Sequence, residues 1–124
     1  MSFVCIVDDD ASVRSALGNL LKSVGYTTMT FSSGEAFLAS PLVDDALCAL
    51  LDLRMHGMQG SDVQRHLQEA RRNIPVVFMS AHGDDETVQR AMQLGAVGVV
   101  RKPFAEDALL ELIELAIGRK GELN

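Results

Sequence analysis

The 124-residue sequence has no long hydrophobic run and no export signal. A membrane-spanning helix needs an apolar stretch of about 18 residues or more, and none is present. The amino terminus also lacks the charged and apolar regions of a secretory signal. We therefore expect a cytoplasmic protein that does not contact a membrane.

Cysteine and basic residues are also scarce, with two cysteines and a net charge of −6. Cys5 and Cys48 lie within predicted strands, without the close spacing of a zinc or redox motif, so we expect both to be buried apolar residues. Nucleic-acid binding requires a basic face. The net charge therefore disfavours direct nucleic-acid binding by this domain, and any DNA contact is expected from a partner or an attached domain.

Four short apolar runs predict strands that are buried on both faces, because their residues are continuously apolar rather than alternating. These runs are Phe3–Val7, Ala46–Leu51, Val76–Met79 and Val97–Arg101. A fifth, more exposed strand is predicted at Tyr26–Thr30, where β-branched and aromatic residues are enriched. We expect this fifth strand at an edge of the sheet.

Between the strands, apolar residues recur at helical spacing. The pattern predicts helices over Val13–Val24, Val63–Ala70, Val88–Met92 and Leu109–Ala116, and a shorter one from Glu35 to Ala39, before Pro41. Alternating strands and helices predict one α/β domain, a doubly wound five-stranded parallel sheet with five helices on its two faces. We assign residues 1–118 to this domain and 119–124 to a helix end followed by a polar tail or linker.

Four polar residues with phosphate chemistry, Asp8, Asp52, Ser80 and Lys102, each directly follow one of the apolar runs. In an open parallel sheet, ligands bind in the crevice outside the carboxyl ends of the strands. We therefore expect these four side chains to converge on one site. Taken singly, each residue has an ordinary structural explanation, such as helix capping by aspartate.

At least two carboxylates of Asp8, Asp9 and Asp10 should lie close to Asp52. Two like charges about 4 Å apart repel by about 4 kcal/mol at an effective dielectric constant of about 20. Such a cluster raises a pKa or recruits a hard divalent cation such as Mg²⁺. With a cation bound, Asp52 can act as a nucleophile toward a phosphoryl group. Lys102 would supply a positive charge for the phosphoryl oxygens, and Ser80 would supply a hydroxyl donor.

The strand-end residues stand within longer motifs, namely Val7–Asp10, Leu51–Met55, Gly57–Gly60, Met79–Ala81, Leu94–Ala96 and Arg101–Phe104. With these motifs the chain resembles, over nearly its whole length, the receiver domain of two-component response regulators, especially receivers of the FixJ and NarL type. The resemblance implies a flavodoxin-like, CheY-like sheet with strand order 2-1-3-4-5.

By resemblance, Asp52 is the phosphorylated residue. Mg²⁺ (or Mn²⁺) would be held by Asp8, Asp9, Asp52 and the backbone carbonyl of Arg54, with Asp9 binding directly and Asp8 through water.

The phosphoryl group would be bound by the Ser80 hydroxyl, the Ala81 backbone amide and Lys102. The resemblance also implies a cis peptide bond before Pro103.

The implied function is a phosphorylation-dependent switch rather than an enzyme. The phosphoryl donor would be a sensor histidine kinase or a phosphotransfer protein. Phosphorylation would alter a surface formed by the fourth helix, fifth strand and fifth helix, where homodimer or output contacts are expected. Transcription would be controlled through an attached or partner DNA-binding domain.

The sequence departs from the usual receiver pattern at two positions. Val99 replaces the common switch aromatic, so we expect signalling to depend on the loop from Ser80 to Asp84 and the following helix. His56 stands where proline is common, and we interpret it as an exposed loop residue rather than a metal ligand paired with His82. Arg54 and His82 occupy positions that tune the phosphoryl lifetime in the family.

Three other functions are compatible with parts of the pattern. A haloacid-dehalogenase-type phosphatase would use Asp8–Asp10 as its nucleophile motif, but Lys102 follows the acidic pair Asp84–Asp85 instead of preceding it. A flavodoxin-like cofactor binder would need an amide-rich phosphate cradle where this chain has three aspartates. A pseudo-receiver, with the fold but without phosphorylation, stays open.

Overall fold

In the computed structural model, residues 3–81 and 85–123 are described, and strands and helices alternate along them. The strands are β1 (Phe3–Val7), β2 (Thr28–Phe31), β3 (Ala46–Asp52), β4 (Val76–Ser80) and β5 (Gly98–Arg101). The helices are α1 (Ala11–Ser23), α2 (Gly34–Ala39), α3 (Gly60–Glu69), α4 (Asp85–Gln93) and α5 (Glu106–Leu123), with a 3₁₀ helix at Pro41–Asp45. None of these helices is long and apolar enough to cross a membrane.

The strands form one parallel sheet in the order β2-β1-β3-β4-β5, which confirms the predicted topology. β2 is an edge strand and only partly buried, as expected. It begins at Thr28 rather than Tyr26 because the Tyr26 backbone N–H donates to the Leu21 carbonyl at 2.9 Å. Tyr26 therefore belongs to the turn that ends α1.

Two apolar cores lie on the two faces of the sheet. On one face, α2, α3 and α4 pack through residues such as Phe37, Leu67 and Ala91. On the other face, α1 and α5 pack through residues such as Leu21 and Ile113. Side chains of the central strands alternate between the two cores, which explains why their sequences are continuously apolar.

The cysteines follow this alternation. Cys5 is buried in the core beneath α2, α3 and α4, whereas Cys48 is buried in the core beneath α1 and α5. Both are free thiols. Their predicted burial is confirmed.

α5 continues past Gly118 to Leu123, so the helix ends within the segment 119–124 that the sequence indicated as a helix end and polar tail. A glycine inside a helix costs only about 1 kcal/mol relative to alanine. The end of α5 is also anchored, since Lys120 Nζ donates to the carbonyls of Asp44 at 3.0 Å and Asn73 at 2.9 Å. Tertiary contacts therefore extend the helix beyond the point that the glycine indicated.

Candidate functional site

Three of the four strand-end side chains meet at the carboxyl edge of the sheet. Asp8 directly follows β1, Asp52 ends β3, and Lys102 directly follows β5. Lys102 Nζ lies 3.0 Å from Asp8 Oδ2 and 3.3 Å from Asp52 Oδ2. Asp8 and Asp52 are buried, whereas Lys102 is partly exposed.

Ser80 completes this edge as the last residue of β4. Its backbone carbonyl accepts from the Lys102 backbone N–H at 2.8 Å, which ties it to the neighbouring strand end. The Ser80 hydroxyl is buried and has no hydrogen-bond partner among the described residues. A buried hydroxyl without a partner costs about 1–3 kcal/mol. Ser80 is thus a donor that an incoming oxygen would satisfy.

A cluster of three carboxylates lies at the same edge. One oxygen from each of Asp8, Asp9 and Asp52 lies within 4.8 Å of the other two. Asp10 does not join them, because its Oδ1 accepts from the Ser12 backbone N–H at 2.8 Å and caps α1. The expectation that at least two residues of the acidic run approach Asp52 is therefore met by Asp8 and Asp9.

Asp8 is held in place from three directions. The Asp10 backbone N–H donates to Asp8 Oδ1 at 2.9 Å, and Lys102 contacts Asp8 Oδ2. Arg14 Nη1 donates to the Asp8 backbone carbonyl at 2.7 Å. Sequence reasoning missed Arg14, although its position four residues after Asp10 places it one helical turn from the acidic run.

Burial raises the pKa of Asp52 from its usual 3.8 to about 6, and repulsion from Asp8 acts in the same direction. Lys102 and the Arg54 backbone N–H, 3.4 Å from Asp52 Oδ1, oppose the rise. Burial acts to lower the pKa of Lys102, but hydrogen bonds and attraction to Asp8 and Asp52 outweigh it and raise the pKa. A cationic lysine beside a poorly solvated carboxylate is typical of a reactive site.

The loop that follows β3 contacts the acidic cluster through His56. His56 is fully exposed, as expected from the sequence, yet its Nδ1 lies 2.8 Å from Asp9 Oδ2. Its backbone N–H also donates to that oxygen, at 3.0 Å. These contacts join residues 47 positions apart, so no local pattern indicated them. His82, the other histidine considered, lies outside the described residues.

An open cleft of about 330 Å³ leads to this cluster and is lined by Asp9, Arg54, Met55, His56 and Gln59. Arg54 is exposed there.

Val99 and Pro103 lie beside the site along β5 and the segment that follows it. Val99 is half-buried and lines a groove of about 500 Å³ against α5, together with Leu112 and Leu115. The Lys102–Pro103 peptide bond is cis, the isomer that the family resemblance implies.

The residues at this edge fit Mg²⁺. Their donor atoms are carboxylate oxygens, which are the ligands that hard divalent cations prefer, and three of them lie close enough to share one ion. The repulsion that raises the pKa of Asp52 is also the repulsion that a cation relieves.

Comparison with known proteins gives a consistent result. A family model described as "Response regulator receiver domain" matches residues 4–114. The chain is 41% identical over 116 residues to the response regulator protein TodT of Pseudomonas putida, covering 94% of this chain and 51% of TodT. It is 36% identical over 120 residues to the transcriptional regulatory protein FixJ of Bradyrhizobium diazoefficiens, covering 92% of this chain and 56% of FixJ.

Solved structures of similar proteins have the same fold. A structure of response regulator StyR has a TM-score of 0.90 and 42% identity, covering 98% of this chain and 61% of that chain. A structure titled FIXJ-N has a TM-score of 0.88 and 37% identity, covering 95% and 94% of the two chains. The chain spans about half the length of TodT and FixJ.

Proposed function

Because the chain belongs to the response regulator receiver domain family, a class of signalling domains, we propose that Asp52 accepts a phosphoryl group from a phosphohistidine. The donor would be a sensor histidine kinase or a phosphotransfer protein. The strongest support is the surroundings of Asp52: a buried carboxylate 3.3 Å from the Lys102 ammonium, within a cluster of acidic residues.

In the proposed reaction, an Asp52 carboxylate oxygen forms a bond to phosphorus, and the bond from phosphorus to the donor histidine nitrogen breaks. That nitrogen keeps the electron pair, and its imidazole takes up a proton from water. Lys102 compensates the negative charge of the phosphoryl oxygens. The Ser80 hydroxyl and the Ala81 backbone amide donate hydrogen bonds to them. Positioning and electrostatic stabilisation are most of what phosphoryl transfer requires.

Mg²⁺ (or Mn²⁺), when bound, would neutralise charge on the carboxylates and on the phosphoryl oxygens. We propose that Asp9 and Asp52 hold the cation directly, that Asp8 does so through water, and that the Arg54 backbone carbonyl completes the protein ligands. The Arg54 and His82 side chains would tune how long the phosphoryl group survives.

The output surface is proposed to comprise α4, β5 and α5. Added phosphoryl charge would draw Ser80 and Lys102 toward the site and shift the chain after β4, with Val99 in place of a switch aromatic. The groove beside Val99, with Leu115 half-exposed at its rim, gives this face the apolar character of a dimer contact. Residues 119–124 would lead into a linker, and a DNA-binding domain, attached or on a partner, would control transcription.

Intact mass tests this proposal directly. The protein is incubated with acetyl phosphate or phosphoramidate, with and without Mg²⁺, alongside Asp52→Asn. An exposed acidic residue, Asp45, provides a matched control as Asp45→Asn.

We expect a Mg²⁺-dependent gain of one phosphoryl group in the native chain and in Asp45→Asn, but not in Asp52→Asn. No gain under conditions that label another receiver domain would favour the pseudo-receiver. Sustained release of phosphate from p-nitrophenyl phosphate would favour the phosphatase.

A further inference from the structure

His56 makes two contacts with the same oxygen of Asp9. Its backbone N–H donates to Asp9 Oδ2 at 3.0 Å, and its imidazole Nδ1 lies 2.8 Å from that oxygen. An ionised carboxylate oxygen can only accept a hydrogen bond, so Nδ1 carries the proton. A proline at this position would supply neither donor.

These contacts determine how the Asp9 carboxylate is oriented. Asp9 lies near the protein surface, with 28% of its side chain exposed. Two donors on Oδ2 fix the carboxylate plane and thereby the direction of the other oxygen.

We propose that His56 is a positioning residue that strengthens Mg²⁺ binding by holding the Asp9 carboxylate in its ligating orientation. This inference rests on the proposed function, since it requires Asp9 to be a cation ligand. Carboxylate ligands are commonly held by outer hydrogen-bond partners, and loss of such a partner typically weakens metal binding by about 10–100-fold. The His56 side chain is fully exposed, so we expect an effect at the lower end of that range.

Three variants separate the hydrogen bond from other effects of the side chain. His56→Ala removes the imidazole donor. His56→Asn restores a donor, because the asparagine amide nitrogen and Nδ1 are both bonded directly to Cγ. His66→Ala removes another exposed imidazole, on α3, and serves as the matched control.

Isothermal titration with MgCl₂ alone, at pH 8, measures the Mg²⁺ affinity of each protein. We expect about 10-fold weaker binding in His56→Ala, and near-native binding in His56→Asn and His66→Ala. The Mg²⁺ midpoint of acetyl phosphate labelling should shift with the dissociation constant in His56→Ala. The rate of labelling by acetyl phosphate at saturating Mg²⁺ should change far less than this midpoint.

Native-like affinity in His56→Ala would overturn the inference. So would equal weakening in His56→Ala and His56→Asn, or in His56→Ala and His66→Ala. If the native protein itself bound no Mg²⁺, the proposed function would fail instead, which distinguishes the two failures.

Discussion

At the residue scale, Asp52 combines burial with negative charge. Removal from water disfavours its ionised form, and the neighbouring Asp8 carboxylate adds repulsion, so the pKa rises to about 6 in the absence of a cation. In an unfolded chain the same carboxyl titrates near its ordinary 3.8. Above pH 6, the folded protein therefore bears a cost that the unfolded chain does not.

This cost predicts that Asp52→Asn stabilises the cation-free protein at neutral pH. Because the folded pKa is raised, the folded state binds more protons than the unfolded state between about pH 4 and pH 6. Stability is lost as pH rises through this window. We expect a gain of about 2 kcal/mol for the variant at pH 7, from urea unfolding in EDTA.

At pH 3.5 the gain should largely disappear, and Asp45→Asn should show no comparable pH dependence. A variant no more stable than the native chain at pH 7 would show that Lys102 already compensates the Asp52 charge fully.

Asp8, Asp52, Ser80 and Lys102 could be located from sequence because each directly follows an apolar run that predicts a strand, and parallel strands end at one edge. Arg14 was missed although it lies one helical turn from the acidic run, whereas the contact from His56 to Asp9 could not be predicted. The latter depends on how the loop after β3 lies over the loop after β1, and residues so far apart carry no shared local pattern.

At the element scale, the junction between β3 and α3 positions Asp52. Gly60 begins α3, and a Cβ built on it would lie 2.3 Å from the Asp52 carbonyl oxygen and 3.0 Å from Leu53 Cα. Both are backbone atoms, so no side-chain rotation could relieve the contact. The Gly60 backbone N–H also donates to the Leu53 carbonyl at 3.1 Å.

Gly60→Ala is therefore expected to destabilise the protein by about 1–3 kcal/mol, because an added methyl group forces the backbone apart. Gly18→Ala is a matched control within α1, since a Cβ there would meet only Thr28 Oγ1 at 3.9 Å. That change should be neutral or stabilising by up to about 1 kcal/mol. Thermal unfolding of the two variants compares them, and equal stability would contradict the close approach at Gly60.

Sequence periodicity located the strands well where burial alone decides their extent. Phe3–Val7 matches β1 in full, and β3 and β4 each extend one residue beyond the predicted run, to Asp52 and Ser80. These extra residues are polar, so a search for apolar runs stops before them. Errors were larger at β2 and at the end of α5, where hydrogen bonds from Tyr26 and Lys120 set the boundaries.

At the scale of the whole molecule, one sheet separates two cores that share the same strands. Cys5 lies in one core and Cys48 in the other, because the two residues are on opposite faces of adjacent strands. Burial raises the pKa of each thiol to about 12. The thiolate is the reactive form, so both cysteines should be inert in the folded protein.

We expect neither thiol to react with a disulfide reagent at pH 8 in buffer, and both to react together across the urea transition. Joint exposure would follow because neither core can open without loss of the central strands. Mass-resolved labelling, compared with circular dichroism, measures this. If one cysteine reacted at lower urea than the other, the two faces would unfold separately.

The central claim is that the strand ends form one phosphoacceptor site with Asp52 as its nucleophile, and peptide mapping of the phosphorylated protein tests it most directly. Reduction of an aspartyl phosphate with borohydride gives a stable homoserine that survives digestion. Trypsin separates the two candidate nucleophiles, because Asp8 lies in the peptide spanning 1–14 and Asp52 in the peptide spanning 23–54. We predict Mg²⁺-dependent conversion of Asp52 in the second peptide, with the first unchanged. Conversion at Asp8, or of neither peptide despite Mg²⁺ and acetyl phosphate, would contradict the assignment.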